Sequence, residues 1–389
     1  MTSSPIPSSA ASVAPSRRVF LQTSGAVAAA VALGSWGCAA RPSRLRILIL
    51  GGTGFIGPHM VRRAQERGHS VTLFNRGRTN DDLFPDVEKL VGDRDGQLEA
   101  LKGREWDAVI DNSGYVPRHV RDSAKLLSTA AKQYLFISSV SAYASLEKPG
   151  LSEDSPLGTM ADPTIEEING ETYGPLKVLC EQAAQQAFPS GATIVRPGYI
   201  VGPGDSTDRW TYWPVRVAAG GEVLAPGLPA APIQLIDARD LAAFTIHLLE
   251  RGTHGAFNAV GPAAALPMSE MLGVLKATTK SDATFTWVDQ EFLAAQEATF
   301  PIWSPTVGAY GGVHQVMNAR AIAAGLTYRP LAETTADTLA WWNGLEAERR
   351  GAMRSGLRLP PELGQAAATL DAQRAAEAKL LAGWRARNG

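Results

Sequence analysis

The chain has 389 residues, of which 45% are hydrophobic and 19% charged, with a formal net charge of −1 at pH 7. This near-neutral balance argues against the basic surface that nucleic-acid-binding proteins carry, so no nucleic-acid partner is expected. The six histidines and two cysteines form no metal-binding motif, so no metal site is expected either.

The first forty residues are predicted to be a leader and no part of the fold. "SRRVFLQ" begins at Ser16 and precedes an Ala-rich apolar run. That run is about 14 residues long, shorter than the roughly 20 that a membrane span needs. Arg17 and Arg18 with the following Phe-Leu resemble the twin-arginine signal of exported bacterial proteins, which implies a periplasmic protein cleaved near Arg41. A lipid anchor at Cys38 is the less favoured alternative.

From Leu45 to Gly198 the chain alternates short apolar runs with amphipathic segments. Six runs are predicted to be strands: "LRILIL", "SVTLFN", "VEKLVGD", "WDAVIDNS", "QYLFISS" and "ATIVRPG". Three segments are predicted to be helices: "MVRRAQERG", "PRHVRDSAKLLSTAA" and "YGPLKVLCEQAAQQAF". This alternation predicts an α/β fold with a Rossmann-like, doubly wound parallel sheet.

The composition changes after about residue 201, where Gly, Pro and aromatic residues become frequent. A first domain is therefore predicted over residues 41–201. A smaller, mostly helical C-terminal domain is predicted from residues 202–232 and 263–389. Between those two parts, "IQLIDARDLAAFTIHLLE" and "GAFNAVG" are expected to return to the sheet, at about residues 233–262. Cys180 is the one cysteine beyond the leader, so no intrachain disulfide is expected.

A glycine motif follows the first strand and opens the first helix. In "ILILGGTGFIGPHM", glycines stand at positions 51, 54 and 57. Such a turn is tight, brings the backbone close to a pyrophosphate and packs the helix against the strand. The helix N-terminus also offers N–H groups to phosphates. The first domain is therefore predicted to bind a dinucleotide with Gly51, Thr53, Gly54, Phe55, Ile56 and Gly57.

The end of the second strand indicates which dinucleotide is bound. The strand ends in "FNRGR", with Asn75, Arg76 and Arg78, and no acid follows until Asp81. An NAD site would place a carboxylate here for the ribose 2′-hydroxyl, whereas guanidinium groups suit a 2′-phosphate. NADP is therefore expected, with NAD as the alternative. Asp93, in "GDRD", is interpreted equally as an adenine contact or as a turn residue.

A second set of polar residues indicates proton transfer. In "ETYGPLK", Tyr173 and Lys177 are four residues apart and share one helix face. A lysine ammonium close to a phenol lowers the pKa of the phenol and makes it a usable acid and base. Strand five ends with Ser138 and Ser139, at the sheet edge where ligands bind in such folds. A serine hydroxyl there can hold a substrate oxygen.

Together, "GGTGFIG", "FISSVSAY", "YGPLK" and "RPGYIVGPGD" resemble the extended short-chain dehydrogenase/reductases of the NAD(P)-dependent epimerase/dehydratase superfamily. The resemblance implies that Ser139 is the catalytic serine, Tyr173 the acid/base and Lys177 its partner, which also bonds the nicotinamide ribose. It implies that the C-terminal domain binds the substrate. It further assigns four cofactor contacts, Ser113, Gly114, Pro197 and Tyr199; Ser113-Gly114-Tyr115 departs from the usual Ala-Ala or Ala-Gly of the family.

Residues on the expected substrate side are less well determined. The candidates are Tyr115, Ser141, Asp205, Arg209 and Trp210. The aromatic cluster around Trp210 is interpreted equally as a substrate wall or as packing within the small domain. "IDARD", with Asp237 and Asp240, is expected to fasten the returning strand.

The expected function is hydride transfer between NADP and a secondary alcohol of a sugar-like or cyclic substrate. A redox-neutral outcome such as epimerisation is favoured, because an exported protein must keep the cofactor it was loaded with. A homodimer is compatible with the resemblance. The alternative is a non-catalytic NADP-binding protein, since "FNRG" and "DSTDRWTYWPVR" are similar to a branch that includes chloroplast stem-loop RNA-binding proteins. The net charge of −3 over residues 41–389 argues against it.

Overall fold

A computed structural model describes residues 44–360 and 369–388. The predicted leader, with Arg17, Arg18 and Cys38, lies outside the described residues. From Arg44 onward the chain forms one compact unit. The predicted division of this part into two domains therefore stays a prediction.

The centre of the fold is a seven-stranded parallel sheet, as the alternating sequence predicts. Its strands, in chain order, are β1 (Arg46–Leu50), β2 (Ser70–Asn75), β3 (Glu88–Val91), β4 (Ala108–Asp111), β5 (Gln133–Ile137), β6 (Ala192–Pro197) and β11 (Gly255–Ala259). Across the sheet their order is β11-β6-β5-β4-β1-β2-β3. The strand order reverses at β1, which lies between β2 and β4. Parallel sheets bind ligands at such a switch point, beyond the carboxyl ends of the strands.

Both faces of the sheet are covered by helices, which is why its strands are continuously apolar. In β1, Ile47 and Ile49 face one hydrophobic cluster and Leu48 and Leu50 face another. The first cluster takes in α1 (Gly57–Glu66) and α5 (Ala238–Arg251). The second takes in α2 (Pro117–Leu127) and α3 (Tyr173–Ala187). Because the strands are parallel, their carboxyl ends lie along one edge of the sheet.

The C-terminal part of the chain has a hydrophobic cluster of its own, which includes Trp210, Trp213 and Leu272. Its helices are α4 (Tyr212–Ala218), α6 (Met268–Thr279), α7 (Gln290–Ala295), α8 (Ala319–Ala323), α9 (Leu331–Asn343), α10 (Ala347–Gly351) and α11 (Leu370–Asn388). Short strands accompany them: β7 (Ile200–Val201), β8 (Glu222–Pro226), β9 (Pro232–Ile233), β10 (Ile236–Asp237), β12 (Leu266–Pro267) and β13 (Thr284–Val288). No helix within the described residues is long and apolar enough to cross a membrane.

Candidate active site

The glycines of the turn between β1 and α1 are required for different structural reasons. Gly51 and Gly52 have φ values of 108° and 93°, in the left-handed region that favours glycine. A Cβ on Gly57 would lie 2.6 Å from the backbone of Gly52, so this glycine lets the helix pack against the turn. A Cβ on Gly54 would meet nothing within 4 Å. Gly54 therefore leaves open space in front of the helix N-terminus.

Side-chain hydrogen bonds hold this glycine turn in place. Asn75 donates to the Gly51 carbonyl at 3.2 Å and accepts from the Gly77 amide at 2.9 Å. Asn80 donates to the Thr53 carbonyl at 2.9 Å. The Asn75 side-chain amide thus bonds to the protein backbone and stabilises the glycine turn. The sequence pattern did not indicate this role.

A cavity of about 340 Å³ extends from the turn to the end of β2. Arg76 and Arg78 line it, and both are exposed. Neither forms an ion pair with another described residue. Asp93 also lines the cavity, and its carboxylate accepts a hydrogen bond from the Asp95 amide at 3.1 Å. Asp93 is therefore a turn residue, and it also lines the cavity. Its position is compatible with both interpretations of the sequence, a turn residue and an adenine contact.

Arg94, which the sequence analysis did not single out, forms the floor of this cavity. It is buried and pairs with Asp111 at 2.6 and 2.7 Å through two nitrogens. It also donates to the Ser123 hydroxyl at 2.8 Å. This pair ties the β3 turn to the end of β4. Buried paired charges are hard to recognise in one sequence, because their partners lie on different elements.

A second cavity, of about 600 Å³, lies beyond the carboxyl ends of β5 and β6. Gly51, Gly54, Ser113 and Tyr115 line both cavities, which therefore meet at the glycine turn. The second cavity brings together the residues predicted for catalysis and most of those predicted for substrate and nicotinamide contact: Phe55, Ile56, Gly57, Ser139, Ser141, Tyr173, Lys177, Pro197, Tyr199, Asp205 and Arg209. The first adds Thr53, Asn75, Arg76, Arg78 and Asp93.

Lys177 is held firmly at the base of the second cavity. Its ammonium donates to the carbonyls of Gly114 and Ile137, both at 2.7 Å. It also lies 4.3 Å from the centre of the Phe136 ring. Burial of the charge lowers the pKa of Lys177 to about 8. The lysine thus links the ends of β4 and β5 and retains one donor for a ligand.

Tyr173 lines the second cavity together with Ser139. Burial raises the pKa of the Tyr173 phenol, while a hydrogen bond with Ser139 and the charge of Arg209 lower it, and the net pKa is raised. The Lys177 ammonium donates to the carbonyls of Gly114 and Ile137. The expected lowering of the phenol pKa by Lys177 stays a prediction.

A buried ionic network lies directly behind the Ser139 loop. Glu181 accepts hydrogen bonds from Arg196 at 2.9 and 2.6 Å and from the Ser138 hydroxyl. Arg196 also donates to the Tyr143 hydroxyl at 3.3 Å. These residues are almost completely buried. Glu181 stands one helical turn after Lys177, so its position on the buried face was the signal that could have identified it.

Trp210 is not placed as a substrate contact. It is fully buried in the C-terminal hydrophobic cluster, together with Tyr212 and Trp213. The position of Trp210 thus agrees with the other interpretation of this aromatic cluster, packing within the small domain. Asp237 accepts from the Arg239 backbone amide at 2.8 Å and caps α5, in line with a fastening role.

The far wall of the second cavity comes from a segment that the sequence analysis missed. Tyr310 and Val313 line the cavity there. Beside them, the His314 ring stacks on Tyr199 with centroids 5.4 Å apart. Burial lowers the pKa of His314 to about 4, so its imidazole is neutral near pH 7. No motif marks this segment, because apolar and aromatic residues in a loop are common.

The arrangement fits a dinucleotide. The glycine turn leaves space in front of a helix N-terminus, and the two cavities form one continuous groove. Two guanidinium groups stand at the end of β2 without an ion pair to any residue that the structure describes. Within the described residues no cluster of His, Cys, Asp or Glu could hold a metal ion.

Comparison with known proteins gives the same picture. The model of a family described as "NAD dependent epimerase/dehydratase family" matches residues 47–260, more than half of the chain. The chloroplast stem-loop binding protein of 41 kDa b from Arabidopsis thaliana is 29% identical over 242 residues, 56% of this chain and 59% of that protein. The chain thus spans less than two thirds of that relative. Human epimerase family protein SDR39U1 is 28% identical over 57% of this chain and 76% of its own.

Solved structures share the fold. The Bordetella bronchiseptica enzyme WbmG, in complex with NAD, has a TM-score of 0.57 and 18% identity, covering 78% of this chain and 96% of its own. Human SDR39U1 with NADPH has a TM-score of 0.52 and 22% identity, covering 76% and 99%.

Proposed function

Because the chain belongs to the NAD-dependent epimerase/dehydratase family, we propose that it is an NAD(P)-dependent oxidoreductase or epimerase acting on a secondary alcohol. The observation that carries the proposal is the single cavity lined by Ser139, Tyr173 and Lys177, which opens into the glycine turn. The expected substrate is a small molecule that is sugar-like or cyclic.

Each residue of the cavity has a chemical role in this proposal. Tyr173 releases its own proton to water and then, as the phenolate, accepts the proton of the substrate hydroxyl, while the Ser139 hydroxyl donates a hydrogen bond to the substrate oxygen. When bound, the nicotinamide supplies the two-electron acceptor for the carbon next to that oxygen. Lys177, fixed by two carbonyls, holds its third N–H for the cofactor ribose. In the return direction, Tyr173 gives the proton back.

NADP is the proposed cofactor, and NAD is the alternative. Arg76 and Arg78 face the first cavity without carboxylate partners among the described residues, and such guanidinium groups suit a 2′-phosphate. A redox-neutral reaction is favoured over net oxidation. A protein exported with one bound cofactor would stop after one turnover unless the reaction restored that cofactor.

A second candidate function is a non-catalytic, cofactor-binding protein that binds RNA. The observation that favours it is the similarity to a plant protein whose name describes stem-loop binding. The net charge of −1 is against it, because RNA-binding proteins need a positive surface.

The test begins with native purified protein, from which the bound dinucleotide is released and identified by mass. The protein is then assayed with NADP and a panel of sugar and cyclic secondary alcohols, followed by nicotinamide absorbance and by exchange of the substrate stereocentre. Turnover that Tyr173→Phe abolishes would support the enzyme. Salt-dependent RNA binding without turnover of any alcohol would favour the second candidate instead.

A further inference from the structure

Asp205 is a fully buried acid with one carboxylate oxygen to spare. Its Oδ1 accepts hydrogen bonds from the Thr207 amide at 2.9 Å and from the Thr207 hydroxyl at 2.6 Å. Its Oδ2 has no hydrogen-bond partner among the residues that the structure describes. Burying such an acceptor is destabilising, because the oxygen has lost water and gained no donor. A ligand group that donates a hydrogen bond to Oδ2 would remove this penalty.

The position of Asp205 distinguishes it from its neighbours in the chain. Trp210 and Thr211 also have a buried polar atom without a partner in the described part of the chain. Trp210 belongs to the C-terminal hydrophobic cluster, and neither residue lines the second cavity. Asp205 does line it. Of these three side chains, the Asp205 carboxylate is therefore the one next to the space that a substrate would fill.

The loop that carries Asp205 is attached to the glycine turn. The His59 Nε2 of α1 donates to the Pro203 carbonyl at 3.2 Å. A Cβ on Gly204 would lie 3.7 Å from the Phe55 ring, which also lines the cavity. The loop thus packs against the turn that would hold the cofactor, and Asp205 belongs to the same cavity as the proposed reaction site.

Arg209 brings the charge of this wall close to neutral. It lines the same cavity, and its Nε donates to the Thr207 hydroxyl at 3.0 Å. Thr207 thereby connects the two charged side chains, and within the described structure no direct ion pair joins them. A substrate ammonium would be attracted by Asp205 but repelled by Arg209, and an anion would meet the reverse. A hydroxyl donates a hydrogen bond without either repulsion.

We propose that Asp205 accepts a hydrogen bond from a substrate hydroxyl other than the one that reacts. The inference rests on the proposed function, which places the reacting hydroxyl at Tyr173. Because Asp205 and Tyr173 line one cavity, the part of the substrate next to this wall is neutral and carries its second hydroxyl within the span of that cavity. A hydrogen bond to a charged acceptor is stronger than one between neutral groups, so this contact selects diols and polyols over simple alcohols.

The test measures the binding of small alcohols to protein loaded with NADPH, because the reduced cofactor cannot oxidise them. The probes are cyclohexanol and the three positional isomers of cyclohexanediol, titrated by following nicotinamide fluorescence. At least one diol should bind about 10- to 150-fold more tightly than cyclohexanol, the range for one hydrogen bond to a charged group. The monomethyl ether of that diol should lose the gain, because an ether oxygen cannot donate. The corresponding amino alcohol should bind no more tightly than the diol.

Asp205→Asn separates the role of Oδ2 from the structural role of Oδ1. The variant should fold and bind NADPH like the wild type, since the amide oxygen can accept both hydrogen bonds from Thr207. Its preference for the diol over the ether should fall by about 10-fold or more, because the new N–H group donates to either oxygen. Asp86→Asn is the matched control, since Asp86 is exposed and lines neither cavity, and it should leave the preference unchanged.

Three results would overturn the proposal. They are the absence of any diol that binds better than cyclohexanol, tighter binding of the amino alcohol than of the diol, and a preference for the diol over its ether that survives Asp205→Asn. Failure of the proposed function would look different. It would appear as no turnover of the best-bound diol with NADP in protein with Tyr173 intact, while the binding preference remained.

Discussion

Lys177 and Tyr173 share one face of α3, yet their side chains meet different environments. The ammonium is enclosed by two carbonyls and an aromatic ring, whereas the phenol faces the cavity beside Ser139. At the scale of single residues, the lysine is a structural link as well as a candidate ligand for the cofactor. The two residues should therefore respond differently to substitution.

Replacing Tyr173 with Phe removes the proton-transfer group and keeps the ring. The rate of alcohol turnover should fall by at least about 100-fold, the usual contribution of general acid–base catalysis. Cofactor binding should stay near that of the wild type, because the hydroxyl is not part of the glycine turn. Steady-state kinetics and fluorescence titration with NADP measure the two quantities. Full activity of Tyr173→Phe would make Tyr173 a packing residue.

Lys177 should give the protein a characteristic pH dependence of stability. The pKa of Lys177 is lowered from 10.5 to about 8 in the fold by burial. Below pH 8 both folded and unfolded chains hold the proton. Between about pH 8 and 10.5 only the unfolded chain does, so the free energy of unfolding contributed by this group rises with pH.

The rise from Lys177 should total about 3 kcal/mol across that window. Urea unfolding of the cofactor-free protein and of Lys177→Met at several pH values gives the free energy of unfolding against pH. The contribution of Lys177 is the difference between the slopes of the two curves. The comparison cancels the titrating groups that lie far from Lys177, because both proteins share them. Identical slopes in the two proteins would show that the ammonium is not held in the buried state described here.

At the scale of elements, the β1–α1 turn and the end of β2 form the dinucleotide cradle. The turn depends on a close approach of backbone to backbone at Gly57 and on open space at Gly54. Asn75 ties the two elements together through the Gly51 carbonyl. Gly57 is thus needed for folding, whereas Gly54 is needed for cofactor binding.

Gly57→Val and Gly54→Val should therefore have different effects. The added Cβ at Gly57 would lie 2.6 Å from backbone atoms of Gly52, so the variant should lose about 1–3 kcal/mol or more of stability. At Gly54 a side chain has room, so the fold should persist while NADP binding weakens, because the side chain enters the phosphate site. Thermal unfolding and cofactor titration of both variants test the division. Equal stability losses would contradict it.

Arg76 and Arg78 should decide the choice of cofactor. With Arg76→Ala and Arg78→Ala combined, NADP should bind about 10- to 150-fold more weakly, while NAD should be little affected. The reason is that guanidinium groups at the end of β2 would contact only the 2′-phosphate. Titration with both dinucleotides measures the ratio, with Arg251→Ala as control. An unchanged ratio would remove both arginines from the cofactor site.

At the scale of the whole molecule, the C-terminal part closes the cavity and is fastened by its own buried charges. Arg216 of α4 pairs with Glu377 of α11 at 2.6 Å, and Glu377 also accepts the Leu224 amide at 2.7 Å. Burial raises the pKa of the Glu377 carboxyl, which the Arg216 charge opposes. The last helix is thus joined to the strand and helix that follow the cavity loop.

We propose export through the twin-arginine route, because Arg17 and Arg18 resemble its signal and the route would carry a folded protein with its cofactor already bound. Arg17→Lys combined with Arg18→Lys should leave folded, cofactor-loaded protein in the cytoplasm. Gly54→Val should also reduce export, because a bound ligand stabilises the folded state. Cell fractionation and measurement of dinucleotide in the exported wild type test both points. Exported protein that is active yet empty of cofactor would contradict loading before export, and wild-type protein found only in the cytoplasm would contradict the signal.

Much of the fold could be predicted from the sequence, because its signals are local. Apolar runs spaced by amphipathic segments predict a parallel sheet, and a glycine turn after the first strand predicts its switch point. Tyr173 and Lys177 are visible for the same reason, since four residues on a helix share a face. The seven parallel strands confirm the predicted fold.

Contacts between distant parts of the chain were decided only by the tertiary structure. The Arg94–Asp111 and Arg196–Glu181 pairs, the His314 ring beside Tyr199 and the direction of the Lys177 ammonium have no local pattern. Trp210 shows the same limit, because a large aromatic residue in a loop can line a cavity or fill a core. The sequence alone determined which residues can do chemistry and roughly where each stands on its element. Packing decided which of them face the cavity, because burial and pairing depend on neighbours far along the chain.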